Sequence, residues 1–342
     1  MNQKSYKKQF IFLSVLLFFV FFANIGLGSV SIPYKDIFNV LIGGNASKES
    51  WETIILNFRL PKAITAIMVG SGLSISGLLM QTLFRNPLAG PFVLGISSGA
   101  SLGVALLILG SSLFGGYFLT AQVSNWSLPI AASLGAFLVL SAVIVATNSV
   151  RNTMSILIIG LMFGSLTSAL ISVLSYFSEA SKIQEFVFWS FGSVGNLSWT
   201  EVSVFAIFYA IGIVSTLFII KPLNSFLLGE NYAKSLGINI KKNRMITLLI
   251  TSILTGVITA FSGPIAFVGL AVPHIARLFF ATSNHKTLLP ATAILGAVVL
   301  LICDAIAQLP TSEFTLPLNA ITSLFGAPIV IWLLVRKKKV FV

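Results

Sequence analysis

Apolar runs of about twenty residues, the length a helix needs to cross a bilayer, recur ten times along this chain of 342 residues, parted by short polar stretches. They fall at 10–29, 61–83, 92–114, 127–147, 154–177, 200–220, 245–262, 264–281, 288–309 and 316–335. The pattern predicts an all-α, polytopic membrane protein of ten transmembrane helices, forming one membrane domain over 1–342. The longest polar stretch between spans, Ser29 to Arg59, carries apolar residues at helical spacing in IPYKDIFNVLIGG, which predicts a short helix lying on the membrane interface.

Charge orients the pattern. With the N-terminus inside, sixteen of the twenty-one Lys and Arg residues lie on one face: Lys4, Lys7, Lys8, Arg85, Arg151, Lys221, Lys234, Lys241, Lys242, Arg244, Arg277, Lys286, Arg336, Lys337, Lys338 and Lys339. Of the nine acids only Glu230 joins them, while Lys35, Lys48, Arg59, Lys62 and Lys182 sit on the other face among the remaining eight. Cationic loops stay cytoplasmic, so both termini are expected inside. The largest cytoplasmic loop, 221–244, becomes a candidate docking surface.

Composition narrows the class. A chain that is 56% hydrophobic and 9% charged, with mean hydropathy +0.99, is not a water-soluble globule, since soluble domains carry about 25% charged residues. The net charge of +12 is explained by the positive-inside distribution and by anionic lipid headgroups, so nucleic acid is not an expected partner. The lone Cys303 excludes an intrachain disulfide. The first apolar run exceeds a signal-peptide core and lacks a small-x-small cleavage site, so it reads as a retained span. Phe186, Phe188, Trp189 and Trp199 read as an aromatic belt at headgroup depth on the outer face.

GPFVLGISSGA at Gly90–Ala100 resembles GPIAFVGLAVP at Gly263–Pro273, each opening a span after a Gly-Pro turn. The first of these spans runs outward and the second inward, so the echo predicts a weak internal repeat of inverted topology. The clusters RNPLAGP and FSGPIAFVGL break helical backbone at membrane depth. Such backbone is tolerated only against protein or a water-filled cavity, which places both clusters at the inter-helix core or beside a pathway.

Missing chemistry is equally informative. No acid falls near the middle of a span, whereas a secondary transporter or proton pump uses an intramembrane ionisable group for its coupling ion. The string Gly95-Ile96-Ser97-Ser98-Gly99 matches a nucleophile pattern, with His274 as an imaginable base, but it lacks the strand-to-helix elbow that pattern needs. Close helix approach explains its small residues, and a structural polar contact is the expectation for His274. No GxxxxGK[ST] loop occurs, so energy must come from another subunit or the protein is passive.

These strings together resemble the permease subunits of the type II ABC importers that take up iron-siderophores, haem and cobalamin. The matching segments are FRLPK (58–62), GSGLSISGLLMQTLFRNPLAGPFVLGISSGAS (70–101), LLGENYAKSLGINIKK (227–242), GPIAFVGLAVPHIAR (263–277), LLPATAILGA (288–297) and LPLNAITSLFGAPIVIWLL (316–334), in the family's order. The resemblance implies ten helices per subunit and a second permease subunit, identical or different. It also implies two cytoplasmic ABC ATPases that carry the ATP, an extracytoplasmic substrate-binding protein, and no cofactor or catalytic residue on this chain. The bacterial cytoplasmic membrane is the implied location. The pathway of such importers is smooth and weakly selective, so siderophore, haem and cobalamin all stay open as cargo, with an iron chelate the leading reading.

Residue by residue, Arg59 and Lys62 match the outer basic positions of the family's R-L-P-R motif, which pair with glutamates on the binding protein. Lys62 keeps the charge without the planar fork of an arginine, and a third basic position falls on Gln308. The usual E-L-P-x-G reads Thr315-Leu316-Pro317-Leu318-Asn319. In the coupling loop, Leu228, Gly229, Glu230, Ala233, Leu236 and Gly237 match residues that rest on the ATPase; an apolar face with glycines for sharp turns suits that role. Asn86 and Leu88 match an inner constriction, and Asn152 and Thr153 a second gate segment. The rival function class, a secondary transporter or channel, would need an ion site within the spans.

A cysteine placed at Ser235 is expected to resist membrane-impermeant maleimide in intact cells and to react after permeabilisation. Labelling from outside would invert the topology.

Overall fold

The computed structural model describes residues 6–110, 126–148, 150, 153–308 and 314–335, and no strand occurs among them. In chain order the helices are α1 (Lys7–Gly26), α2 (Tyr34–Leu41), α3 (Glu49–Ile54), α4 (Leu60–Phe84), α5 (Ile96–Ile108), α6 (Ser127–Asn148), α7 (Thr153–Tyr176), α8 (Ala180–Ser190), α9 (Trp199–Phe218), α10 (Ile220–Leu227), α11 (Glu230–Ser235), α12 (Ile240–Ser262), α13 (Val268–Phe280), α14 (His285–Ala307) and α15 (Leu318–Val335). A π-helical turn, Ile55–Arg59, fuses α3 to α4, and a 3-10 turn, Pro91–Leu94, precedes α5. Among the described residues, seven helices are long and apolar enough to cross a membrane: α1, the α3–α4 unit, α6, α7, α9, α12 and α14. α5, α13 and α15 are apolar but shorter.

Local chemistry explains where helices depart from the apolar runs. α12 begins at Ile240, before the expected 245, because Asn239 caps it: its side chain accepts from the Lys242 N–H at 2.9 Å. The run 264–281 is helical only from Val268. Gly263 ends α12 at φ 69°, and Phe267 sits at φ 65°, so the first four residues of the run, 264–267, pass without helical backbone. The 92–114 run likewise starts its helix at Ile96, after Gly95 at φ 71°. The helix predicted within IPYKDIFNVLIGG forms as α2, burying Ile37 and Val40 and exposing Tyr34 and Phe38. Asp36 on α2 accepts from the Ser47 hydroxyl (2.6 Å) and backbone N–H (2.8 Å). Those bonds, the hydroxyl's first, hold its carboxyl below the ordinary carboxylate value.

α4 is the axis of the bundle. Its residues from Ser71 to Phe84 are all buried, and α9, α10, α12, α13 and α14 pack around it. The buried core divides along its length. Ala63, Ala66, Val69 and Leu73 join Ile25, Phe205, Ile258 and Leu300, while Leu78, Leu79, Met80 and Phe84 join Ala100, Leu223, Leu248 and Leu288. Lipid supplies no hydrophobic drive between helices, so small residues must let backbones touch. A Cβ on Gly70 would overlap the Gly296 carbonyl of α14, and one on Gly77 would overlap the Gly269 carbonyl of α13.

Gly77→Leu should therefore destabilise the protein by about 3 kcal/mol or more, as overpacking against immovable backbone does. At Gly256 a Cβ would meet its nearest neighbours at 3.9 Å, so Gly256→Ala should leave the thermal midpoint in detergent unchanged or raised. Equal midpoints for the two variants would refute the packing account.

Candidate functional site

Two polar regions cap the α4 axis, one at each end. At the end the charge map assigns outside, Arg59, Lys62 and Gln308 line a single cavity of about 840 Å³, with Phe58, Phe188 and Phe191 also in its wall. Their side chains are not free. Arg59 is buried, and its guanidinium donates to the carbonyl oxygens of Ile25 (2.7 Å) and Gly26 (3.1 Å), and also to that of Val30. It thereby closes the C-terminal end of α1, where helical carbonyls lack partners. Lys62 pairs with Asp304 at 3.1 Å, and Gln308, one turn further along α14, donates to the same carboxylate at 2.8 Å. Asn24 of α1 completes the cluster, donating to Asp304 at 2.8 Å and to the Leu301 carbonyl at 3.1 Å.

Asp304 is thus the hub of the outer cluster. From the sequence alone it is one of the eight acids on the outer face. The i, i+4 spacing of Asp304 and Gln308 was the available signal, whereas Asn24 is 280 residues away in the chain.

At the other end, Arg85 closes α4 in a left-handed conformation (φ 48°) and starts the turn of Asn86, Pro87 and Leu88. The Asn86 side chain accepts from the Leu88 N–H at 2.9 Å, and Leu88 stands exposed. His274 of α13 holds the turn from behind, its Nε2 lying 2.8 Å from the Pro87 carbonyl oxygen. That contact makes Nε2 the donor and bears out the structural role expected of His274. Ser97 instead meets the Thr259 hydroxyl at 3.2 Å, so Ser97 and His274 form no nucleophile–base couple. One turn before Arg85, Gln81 donates to the Leu270 carbonyl (3.0 Å) and accepts from Arg277 (2.6 Å). Asn152 lies outside the described residues, as do Arg151 and the 336–339 cations, and Thr153 is described by its helical backbone alone.

The 221–244 loop folds as two short helices, α10 and α11, joined at Gly229 (φ 114°), and Gly237 (φ 78°) closes the second. Only glycine takes such angles without strain. Leu228, Tyr232 and Leu236 are exposed. Ala233, expected on the same face, is fully buried and packs α11 onto the bundle, and Tyr232 supplies the apolar surface in its place. Glu230 pairs with Arg244 of α12 at 2.9 Å.

The protein-family model described as the FecCD transport family matches residues 16–336. The chain belongs to that family. It is 32% identical over 329 residues to the hemin transport system permease protein HmuU of Yersinia pestis, spanning 96% of this chain and 95% of the relative. It is 33% identical over 293 residues to the vitamin B12 import system permease protein BtuC of Salmonella paratyphi A, spanning 84% and 85%. A solved structure described as a metal-chelate type ABC transporter in an inward-facing conformation superposes with a TM-score of 0.83 at 30% identity, covering 97% of this chain and all of that one. This FecCD chain is therefore a permease of the type II ABC importers, a multi-pass protein of the inner membrane, and its relatives are permease rather than catalytic subunits.

Asp304→Asn removes the counter-charge of Lys62, whose side chain is 21% exposed. The expected loss is roughly 2 kcal/mol, below that for a wholly buried pair because water reaches the lysine. A thermal midpoint equal to the unaltered protein's would show the cluster to be structurally idle.

Proposed function

We propose that this FecCD permease carries an iron chelate, a siderophore or haem complex, across the membrane in an ATP-driven importer. The carrying observation is the near full-length relatedness to a hemin permease, supported by likeness to a metal-chelate type transporter. Cobalamin is the second reading, favoured by relatedness to the vitamin B12 permease and opposed by the neutral Gln308 in place of a third basic residue.

In this reading the seven long apolar helices and the three shorter ones make ten membrane segments with both termini cytoplasmic. Two permease subunits, identical or different, enclose the pathway between them. An extracytoplasmic binding protein docks at the cavity lined by Arg59, Lys62 and Gln308. Two cytoplasmic ATPases rest on α10–α11, where Leu228, Tyr232 and Leu236 offer apolar contact and Gly229 and Gly237 set the turns. Asn86 and Leu88, with Asn152 and Thr153, form the cytoplasmic gate. ATP is bound and hydrolysed on the partners, and alternating access follows because nucleotide favours one arrangement of the paired subunits over the other. Asp304, the described acid most enclosed within a long apolar helix, already has Lys62 as counter-charge. That pairing argues against an ion-coupled carrier.

Reconstitution in sealed vesicles with the ATPase, the binding protein and a ferric chelate tests the reading. Uptake should require ATP and persist when a protonophore and a sodium ionophore collapse both gradients. Gradient-driven uptake without the ATPase would replace the importer with a secondary transporter.

A further inference from the structure

The α10 helix is tied to the inner end of α4 by two polar rungs, each spaced one helical turn from the next. In the first, Asn224 of α10 meets His285, the first residue of α14, which in turn meets Thr82 of α4. The Asn224 Oδ1 lies 2.8 Å from the His285 backbone nitrogen and 2.8 Å from its ring Nδ1, and His285 Nε2 lies 2.9 Å from the Thr82 hydroxyl. Because the backbone N–H can only donate, the Asn224 oxygen faces the imidazole. For the neutral ring, Nδ1 then carries the proton and Nε2 is the acceptor facing the Thr82 hydroxyl, whose single proton is shared between Nε2 and the Leu78 carbonyl, each 2.9 Å away. In the second rung, Arg85 donates to the Leu227 carbonyl at 3.4 Å. Arg85 directly follows α4 and Leu227 ends α10, each three residues past Thr82 and Asn224, so the two rungs follow one another where the inner end of α4 meets α10.

His285 and Thr82 are each 1% exposed. Leu223 and Phe226 of α10 also pack into the core around the inner half of α4, but apolar contact is non-directional and tolerates sliding. Hydrogen bonds that lose their partners in a buried site do not. Asn224 Nδ2 adds a bond to Asn284 Oδ1 at 3.1 Å, and Asn284 itself caps α14.

We propose that Asn224, His285 and Thr82 are the mechanical link through which a push on α10–α11 moves the inner end of α4, and with it the Asn86–Leu88 turn that begins one residue past Arg85. These three are positioning residues, and the inference rests on the reading of α10–α11 as the ATPase contact.

The test uses the full complex in vesicles and reads cargo delivered per ATP hydrolysed. Thr82→Val keeps the shape and removes the hydroxyl. It should still co-purify with the ATPase and hydrolyse ATP, while cargo per ATP falls about tenfold, within the usual span of coupling between sites. Thr82→Ser should restore the ratio. An unchanged ratio in Thr82→Val overturns the link, as does loss of ATPase binding, which would make the node a support for the docking surface. Should Thr82→Val fail to accumulate, spin labels at Ser235→Cys and Leu88→Cys in a Cys303→Ser background decide. Their distance should hold through the nucleotide cycle, and a shift of several ångströms would mean the two elements move independently. Absence of ATP-driven uptake by the unaltered complex would instead remove the importer reading, and the link with it.

Discussion

Backbone-to-backbone contact along α4 is the constraint on which the remaining structure depends. Helices in lipid gain nothing from hiding apolar side chains from one another, so they associate through van der Waals fit and the few polar bonds they share. Gly70 and Gly77 bring the carbonyls of α14 and α13 against α4. With seven of the described helices in contact with it, α4 runs from the outer cavity to the cytoplasmic turn without meeting lipid over most of its length. Only an axis so enclosed can bury charged and polar groups at both ends. Lys62 and Asp304 close one end, and Gln81 with Arg277 closes the other.

The two ends differ in kind. The outer cluster gathers Asn24, Lys62 and Gln308 onto one carboxylate, and Arg59 fixes the exit of α1 beside it. Each of these four side chains reaches an acceptor, which suits a rigid rim. The inner end is held at separate points on α10, α13 and α14, and the Pro87 carbonyl is gripped by His274 from a neighbouring helix. A turn fastened to several elements follows whichever of them moves, so the same bonds that define its resting shape give other helices purchase on it.

The all-α, multi-span character was legible in the sequence because hydropathy runs are a property of composition. The breaks at RNPLAGP and FSGPIAFVGL were legible through glycine and proline. The lengths of α5 and α13 were not, because Ile265, Ala266 and Phe267 extend an apolar run while their backbone is irregular. Nor could the sequence say that Arg59 points back at α1, or that Asp304 gathers Lys62 and Gln308. Both depend on which helix ends lie side by side. Ala233 shows the limit on a smaller scale. A six-residue helix gives too little periodicity to tell its buried face from its exposed one, and Tyr232 took the position expected of Ala233.

The backbone of the 263–267 segment has a further consequence for how the chain fits together. The Ala266 N–H, half-buried between α12 and α13, finds its acceptor on the Asn319 side chain at 3.0 Å, and the Asn319 N–H in turn meets the Phe191 carbonyl. Asn319 belongs to α15, more than fifty residues later in synthesis. An N–H without a partner in hydrocarbon is strongly disfavoured, and α13, at 13 residues and about 20 Å, is too short to span the bilayer alone. The approach to α13 is therefore completed only by a side chain of the last helix, so the resting place of a middle segment is set from the far end of the chain.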